Sequence, residues 1–173
     1  MQITWAGHRA LLTRLIFMIN SQLFRFIERD SLLFHSDIHG LNHWKAVEKN
    51  GLYLAKFTSA DTKVVSYFAY LHDCMRENES EDEYHGPRGA AYAQKHKNLL
   101  GLTETQLKTL ILACKDHTHC YNSNCPTINT CWDADRLDIG RVGIIPNSKY
   151  MFIEEAKRIA DEKDFKVLGR AIS

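Results

Sequence analysis

The chain has 173 residues, 45% of them hydrophobic and 25% charged, enough to bury the core of one ordinary domain. Its 22 basic and 21 acidic residues leave a formal net charge of +1, so no field of one sign exists to hold nucleic acid or an anionic membrane. The apolar N-terminal run LLTRLIFMIN is interrupted by Arg14, lacks a small-residue cleavage site and is too short and charged to span a bilayer, so the cytoplasm is the expected location.

Helical periodicity dominates. Residues 8–30 supply one or two helices, and residues 37–57 another. From Lys63 to His72 the apolar positions Val64, Val65, Phe68 and Leu71 fall on one helical face, with Asp61 or Thr62 as N-cap. The polar stretch ENESEDEYHGP makes 77–87 a surface loop, after which 88–100 resumes a helix that Gly101 can end. Thr103 and Gln106 have capping-box spacing. The helix behind them carries Leu107, Leu110, Ile111 and Cys114 in a stripe that points next at His117. Residues 119–130 read as a long loop holding a proline, residues 131–139 as a helix, and residues 149–163 as the last helix. Runs of alternating β-branched residues are absent, and no repeat divides the chain. The expected fold is all-α, a single domain over 1–173, with a core of motifs at about 36–142 and the terminal helices packed on it.

The chemistry-bearing residues sit where apolar stripes stop. His39 and His43 are four apart, on one helical face, and His43 also shares that face with Val47. His72 follows Phe68 by four, and His117 continues the stripe of Leu110 and Cys114. Asp135 lies in WDADRLDIG, whose Trp132, Leu137 and Ile139 pack inward. A single buried histidine is ordinarily a satisfied core residue. A buried carboxylate is costly unless paired, and several such groups on separate helices are best explained together by a cation. Imidazole and carboxylate suit divalent ions such as Mn, Fe, Co, Ni or Zn.

The order His43, His72-Asp73, Asp135 resembles the HD-domain metal-dependent phosphohydrolase superfamily. HGLNHWKAV is similar to that family's HxxHxxRV opening, with Lys-Ala where Arg often stands; YLHDCMRE resembles its central pair and DADRLD its closing aspartate. The resemblance spans residues 39–138. It implies a bundle of five or more helices, with His43, His72, Asp73 and Asp135 around a divalent metal, Mg added to the ions above. His85, in EYHGPRGAAYA, and His117 resemble the additional histidines of binuclear members, in which Asp73 would bridge two ions; otherwise they serve as supporting or substrate-contacting groups around one.

The implied activity is hydrolysis of a phosphomonoester or phosphodiester, nucleotides among the candidates, by metal-activated water. Loose phosphoryl transition states call for positive charge. Arg76 and Glu77 stand one helical turn beyond Asp73. Asp73 and Glu77 are therefore the candidate catalytic residues, Glu77 handling a proton, and Arg76 or Arg88 the candidate phosphate ligand. Related hydrolases of stringent-response nucleotides carry acidic residues near that turn, and Arg76 departs from their pattern. Loops 77–88 and 119–130 would shape the substrate pocket, and an oligomer built on the apolar N-terminal helices is compatible with the pattern.

Three other readings remain open. The same donors, four histidines and two aspartates, match the count of HD-fold di-iron oxygenases. A nucleotide sensor on this scaffold would keep the ligands without turnover. HTHCYNSNC, with Cys131 beyond it, could form a structural zinc site from His and Cys, but C-x4-C-x5-C fits no common zinc spacing. With five cysteines in all, free thiols in a reducing compartment are expected.

Overall fold

A computed structural model describes residues 19–120 and 122–169. Within them the chain forms eight α-helices: α1 Ser21–Asp30, α2 Leu41–Leu54, α3 Thr62–Leu71, α4 His85–Lys95, α5 Lys97–Leu100, α6 Glu104–Asp116, α7 Pro126–Arg136 and α8 Glu154–Glu162. No strand occurs among the described residues. No helix there is long and apolar enough to cross a membrane. The expectation of further N-terminal helix over 8–18 lies outside the described residues.

The hub is α3. Its sequence TKVVSYFAYL suggests one apolar face, yet every residue from Val64 to Leu71 is buried. A helix apolar almost all round belongs in the middle of a bundle. Here α2, α4, α6 and α7 all pack against α3. Asp61 caps it, its Oδ1 accepting the Lys63 and Val64 N–H groups at 3.0 and 3.2 Å. The other oxygen of Asp61 accepts from Gln106 Nε2 at 2.7 Å, and the Asp61 N–H donates to Thr127 Oγ1 at 3.0 Å. One residue thus ties the starts of α3, α6 and α7 together. The three helices run side by side and their C-terminal ends gather at the opposite pole of the bundle. Trp132 Nε1 donating to Ala113 O (2.9 Å) and Asn50 Nδ2 donating to Ala134 O (2.9 Å) fix α7 against α6 and α2.

The Thr103–Gln106 capping box forms as expected, and Gly101 ends α5 at φ 57°. Several expected boundaries move. Residues 126–130 are helical: Pro126 occupies the first turn of α7, where its missing N–H is no loss, so the proline opens a helix and the loop ends at Cys125. The 77–87 loop is likewise three residues shorter, because α4 begins at His85. The expected 88–100 helix is interrupted at His96. The last helix starts at Glu154, since residues 151–153 are held extended by Asp133, whose Oδ2 accepts the Phe152 and Ile153 N–H groups at 2.8 and 2.7 Å. His39 is not helical; it lies in the turn before Gly40 caps α2, and its Nδ1 meets Glu79 Oε2 at 2.5 Å. All five cysteines are free thiols, with Cys74, Cys114 and Cys131 buried.

Candidate metal centre

Three helix C-termini converge on one point, and each brings about half a negative charge from its aligned peptide dipoles. His72 follows α3 directly, His117 follows α6, and Asp135 occupies the last turn of α7. His43 arrives from the first turn of α2 and His85 from the first turn of α4. The approach of α4 depends on two glycines. A Cβ on Gly86 would lie 2.6 Å from Cys114 O, and one on Gly89 would collide with Leu71 O, so α4 touches the ends of α6 and α3 backbone to backbone.

The hydrogen bonds fix the imidazole tautomers. The Nδ1 atoms of His72, His85 and His117 face backbone carbonyls: Phe68 O and Ala69 O at 3.1 and 3.0 Å, Asp82 O, and Cys114 O at 2.7 Å. A carbonyl only accepts, so each Nδ1 carries the proton. His43 Nδ1 donates to Asp138 Oδ2 at 2.6 Å. In its neutral form each of the four rings therefore aims a proton-free Nε2 inward. His43 Nε2 and His72 Nε2 are 3.1 Å apart, as are His85 Nε2 and His117 Nε2 at 2.9 Å. Two lone pairs facing each other at such distances repel unless a cation shares them. Donors about 2.1 Å from one ion and at right angles lie about 3 Å apart, so the spacing fits coordination.

Asp73 sits between the two histidine pairs. Its Oδ2 is 3.7 Å from His43 Nε2 and 3.8 Å from His72 Nε2, while its Oδ1 is 3.3 Å from His85 Nε2 and 3.7 Å from His117 Nε2. Oδ1 is buried without a hydrogen-bond partner, the condition a cation would relieve. Asp135 Oδ1 completes the first pair, 3.3 Å from His43 Nε2 and 3.8 Å from His72 Nε2. His43, His72 and Asp135 form one group able to hold a metal ion, and His72, Asp73 and His117 form another. The donor chemistry therefore fits a divalent cation.

The electrostatics differ from ring to ring. Burial pushes the His72 pKa down to about 3, keeping the ring neutral and available as a ligand. Burial also works against ionising Asp73 and Asp135, yet the surrounding imidazoles hold both carboxyls well below the ordinary range. His85 is lowered by burial. His117 is raised, because contact with Asp73 outweighs burial.

A cleft of about 320 Å³ opens over the cluster, its rim formed by Arg76, Arg136 and Arg141, by Glu81, Asp82 and Glu83, and by Thr118 and His119. Arg76 Nη1 lies 3.6 Å from Asp73 Oδ1, and its other nitrogens donate to Asn78 O and Ser80 O at 3.3 and 2.8 Å. The remaining two sequence candidates fall elsewhere. Glu77 is 63% exposed and pairs with Arg88 at 3.6 Å. Arg88 donates to Met75 O at 2.8 Å and to Asp82. Neither lines the cleft. The chain leaves helical geometry after Leu71, so the count of one turn beyond Asp73 that brings Arg76 to the mouth does not bring Glu77 there. The Glu77 N–H and the Arg88 guanidinium both donate to Asp82, whose carbonyl meets His85.

Two functional residues escape a motif reading. Asp138 is 3% exposed and orients His43; Asp133 anchors residues 152–153. The DADRLD run contains both, but only the 3-10 turn after α7 shows which aspartate faces which way. Ile139, expected to pack inward, is only half-buried.

The architecture is the HD-domain fold. The chain is similar to the crystal structure of a predicted HD superfamily hydrolase from an uncultured Thermotogales bacterium, with a TM-score of 0.68 and 22% identity over 92% of each chain. No protein-family model matches the sequence, nor does any curated protein.

Proposed function

We propose that this chain is a metal-dependent phosphohydrolase acting on a small phosphomonoester or phosphodiester, nucleotides included. The observation that carries the reading is the convergence of four imidazole Nε2 atoms on the two oxygens of one buried carboxylate, beneath a cleft into which Arg76, Arg136 and Arg141 open beside Glu81, Asp82 and Glu83. The likeness to a protein described as a predicted HD superfamily hydrolase supports the hydrolase class.

In this reading His43, His72, Asp73 and Asp135 hold one divalent ion of the Mn, Fe, Co, Ni, Zn or Mg set. His85, His117 and the second oxygen of Asp73 are the donors for another. Such an ion supplies Lewis acidity toward a phosphoryl oxygen and lowers the pKa of water. The protein aims the donors, excludes bulk water from the cluster and presents Arg76 to a phosphate oxygen. Arg88 and Glu77 hold the loop that carries Asp82.

Metal content followed by assay on a phosphoester panel tests this. Mn-, Co- or Ni-loaded protein is expected to hydrolyse at least one class, and Asp73→Asn to lose both metal and turnover by at least about tenfold. If Asp73→Asn kept both, the assignment would fall. The second reading, a di-iron oxygenase, is favoured specifically by the second histidine pair on Asp73 Oδ1. Two irons per chain with oxygen-dependent turnover would establish it and defeat the hydrolase. Metal-loaded protein that binds nucleotides without turning over any phosphoester would instead be a sensor.

A further inference from the structure

Beyond the cleft, α7 and the 3-10 turn at Ile139–Val142 form a ridge on which Asp135, Asp138 and Arg141 recur every three residues. Asp135 faces the cleft, Asp138 faces a second cavity of about 700 Å³, and Arg141 lines both. The Arg141 guanidinium is held in that wall, donating to Ile38 O at 2.7 Å and lying 3.8 Å from Asp138 Oδ2. The two cavities therefore meet at a single side chain.

The second cavity is apolar in its walls, formed by Ala46, Leu137, Ile144, Ile145, Pro146 and Phe165. Ile144 and Ile145 are 53% and 65% exposed, large apolar side chains left facing solvent beside a cavity of ligand size. Asn42, Asp37 and Lys163 also line it, and their side chains have no hydrogen-bond or ion-pair partner among the described residues. An apolar lining with a few unused polar groups is the usual make-up of a small-molecule site. Its formal charges cancel, Arg141 and Lys163 against Asp37 and Asp138.

We propose that this cavity receives the ester group of the substrate, and that this group is a compact apolar or aromatic body. The inference rests on the phosphohydrolase reading: the phosphoryl end occupies the cleft over Asp73 and Asp135, and the remainder passes Arg141 to lie against Ile144, Ile145 and Phe165. A second phosphate has no excess positive charge to meet there, and a sugar would set its hydroxyls against hydrocarbon. Ile145 and Phe165 are then specificity-determining residues.

The test uses the full chain loaded with Mn(II) and two non-hydrolysable probes, methylphosphonate and benzylphosphonate, with affinities measured by calorimetry. Benzylphosphonate is expected to bind at least about tenfold more tightly than methylphosphonate, from the apolar area buried. Ile145→Asp and Phe165→Ala are each expected to reduce that ratio to below about threefold. Ile145 is exposed, so its variant keeps the fold, and Phe165→Ala checks the same wall independently. Equal affinity of the two probes for the wild-type protein would overturn the inference and leave the phosphohydrolase reading standing. A preference for the benzyl probe that survives both substitutions would overturn the assignment of the cavity. Failure of both probes to bind would remove the phosphoester reading and this inference with it.

Discussion

Asp138→Asn is expected to weaken metal binding at the His43 side of the cluster without disturbing the fold. In the native protein the buried Asp138 carboxylate can only accept, so His43 keeps its proton on Nδ1 and offers Nε2 to the centre. An amide of the same shape can instead present its NH2 group to Nδ1, which stabilises the opposite tautomer and points an N–H where a lone pair is needed. The hydrogen bond at stake joins a charged and a neutral group, a type that contributes about 1.5–3 kcal/mol. That corresponds to roughly 10- to 100-fold in affinity, the range in which residues supporting metal ligands act. Calorimetric titration with Mn(II) or Co(II) reads the affinity, and nitrogen-15 NMR of the His43 ring in metal-free protein reads the tautomer. A dissociation constant within twofold of wild type, with the proton still on Nδ1, would refute the argument.

Other substitutions probe the frame. Gly89→Ala drives a methyl into the Leu71 carbonyl, a backbone atom that cannot swing aside, and is expected to cost about 3 kcal/mol in urea unfolding while loosening the site at His72. Lys163 ends α8 at φ 54°, so Lys163→Gly is expected to stabilise the fold by about 1 kcal/mol, raising Tm by about 2–4 °C. Burial pushes the Asp133 carboxyl up to about 6, above its unfolded value. Its contribution is therefore fully present below about pH 4 and lost as pH rises through 6, by about 3 kcal/mol in total. Asp133→Asn keeps an acceptor for Phe152 and Ile153, so its stability relative to wild type should improve over that window. Asp133→Ala strands both amides and should lose about 2 kcal/mol. A flat difference between wild type and Asp133→Asn across pH 4–7 would contradict this account.

Much of the bundle was legible because its signals are local. The Thr103 capping box, the Asp61 cap and the glycine after Leu100 each act within one turn, and the structure places them as the spacing predicts. The stripes ending at His72 and His117 likewise set which way those rings leave their helices. What spacing could not carry was the path of the chain once a helix stopped. Placing Glu77 one turn beyond Asp73 assumes that the α3 helix continues, whereas the chain turns after Leu71 and Glu77 pairs with Arg88 outside the cleft. The sequence pattern puts His85 in a loop, and the glycine contacts of α4 with α3 and α6 bring it to His117. Asp138 is invisible to a helical count because its turn is 3-10. Pro126 reads as a loop marker, although proline is equally at home opening a helix.

Three of the four inward-facing rings take their orientation from a carbonyl within four residues of themselves: His72 from Phe68 and Ala69, His85 from Asp82, His117 from Cys114. These donors are aimed by their own short segments, and docking the helices only has to bring finished parts together. His43 alone borrows its aim from afar, across 95 positions of sequence. Changes to the rim and to the neighbouring cavity can therefore accumulate without spoiling the cluster, so long as the ridge from Asp135 to Arg141 is kept. The residue that joins the cluster to the neighbouring cavity is Asp138, which both orients His43 and lines that cavity.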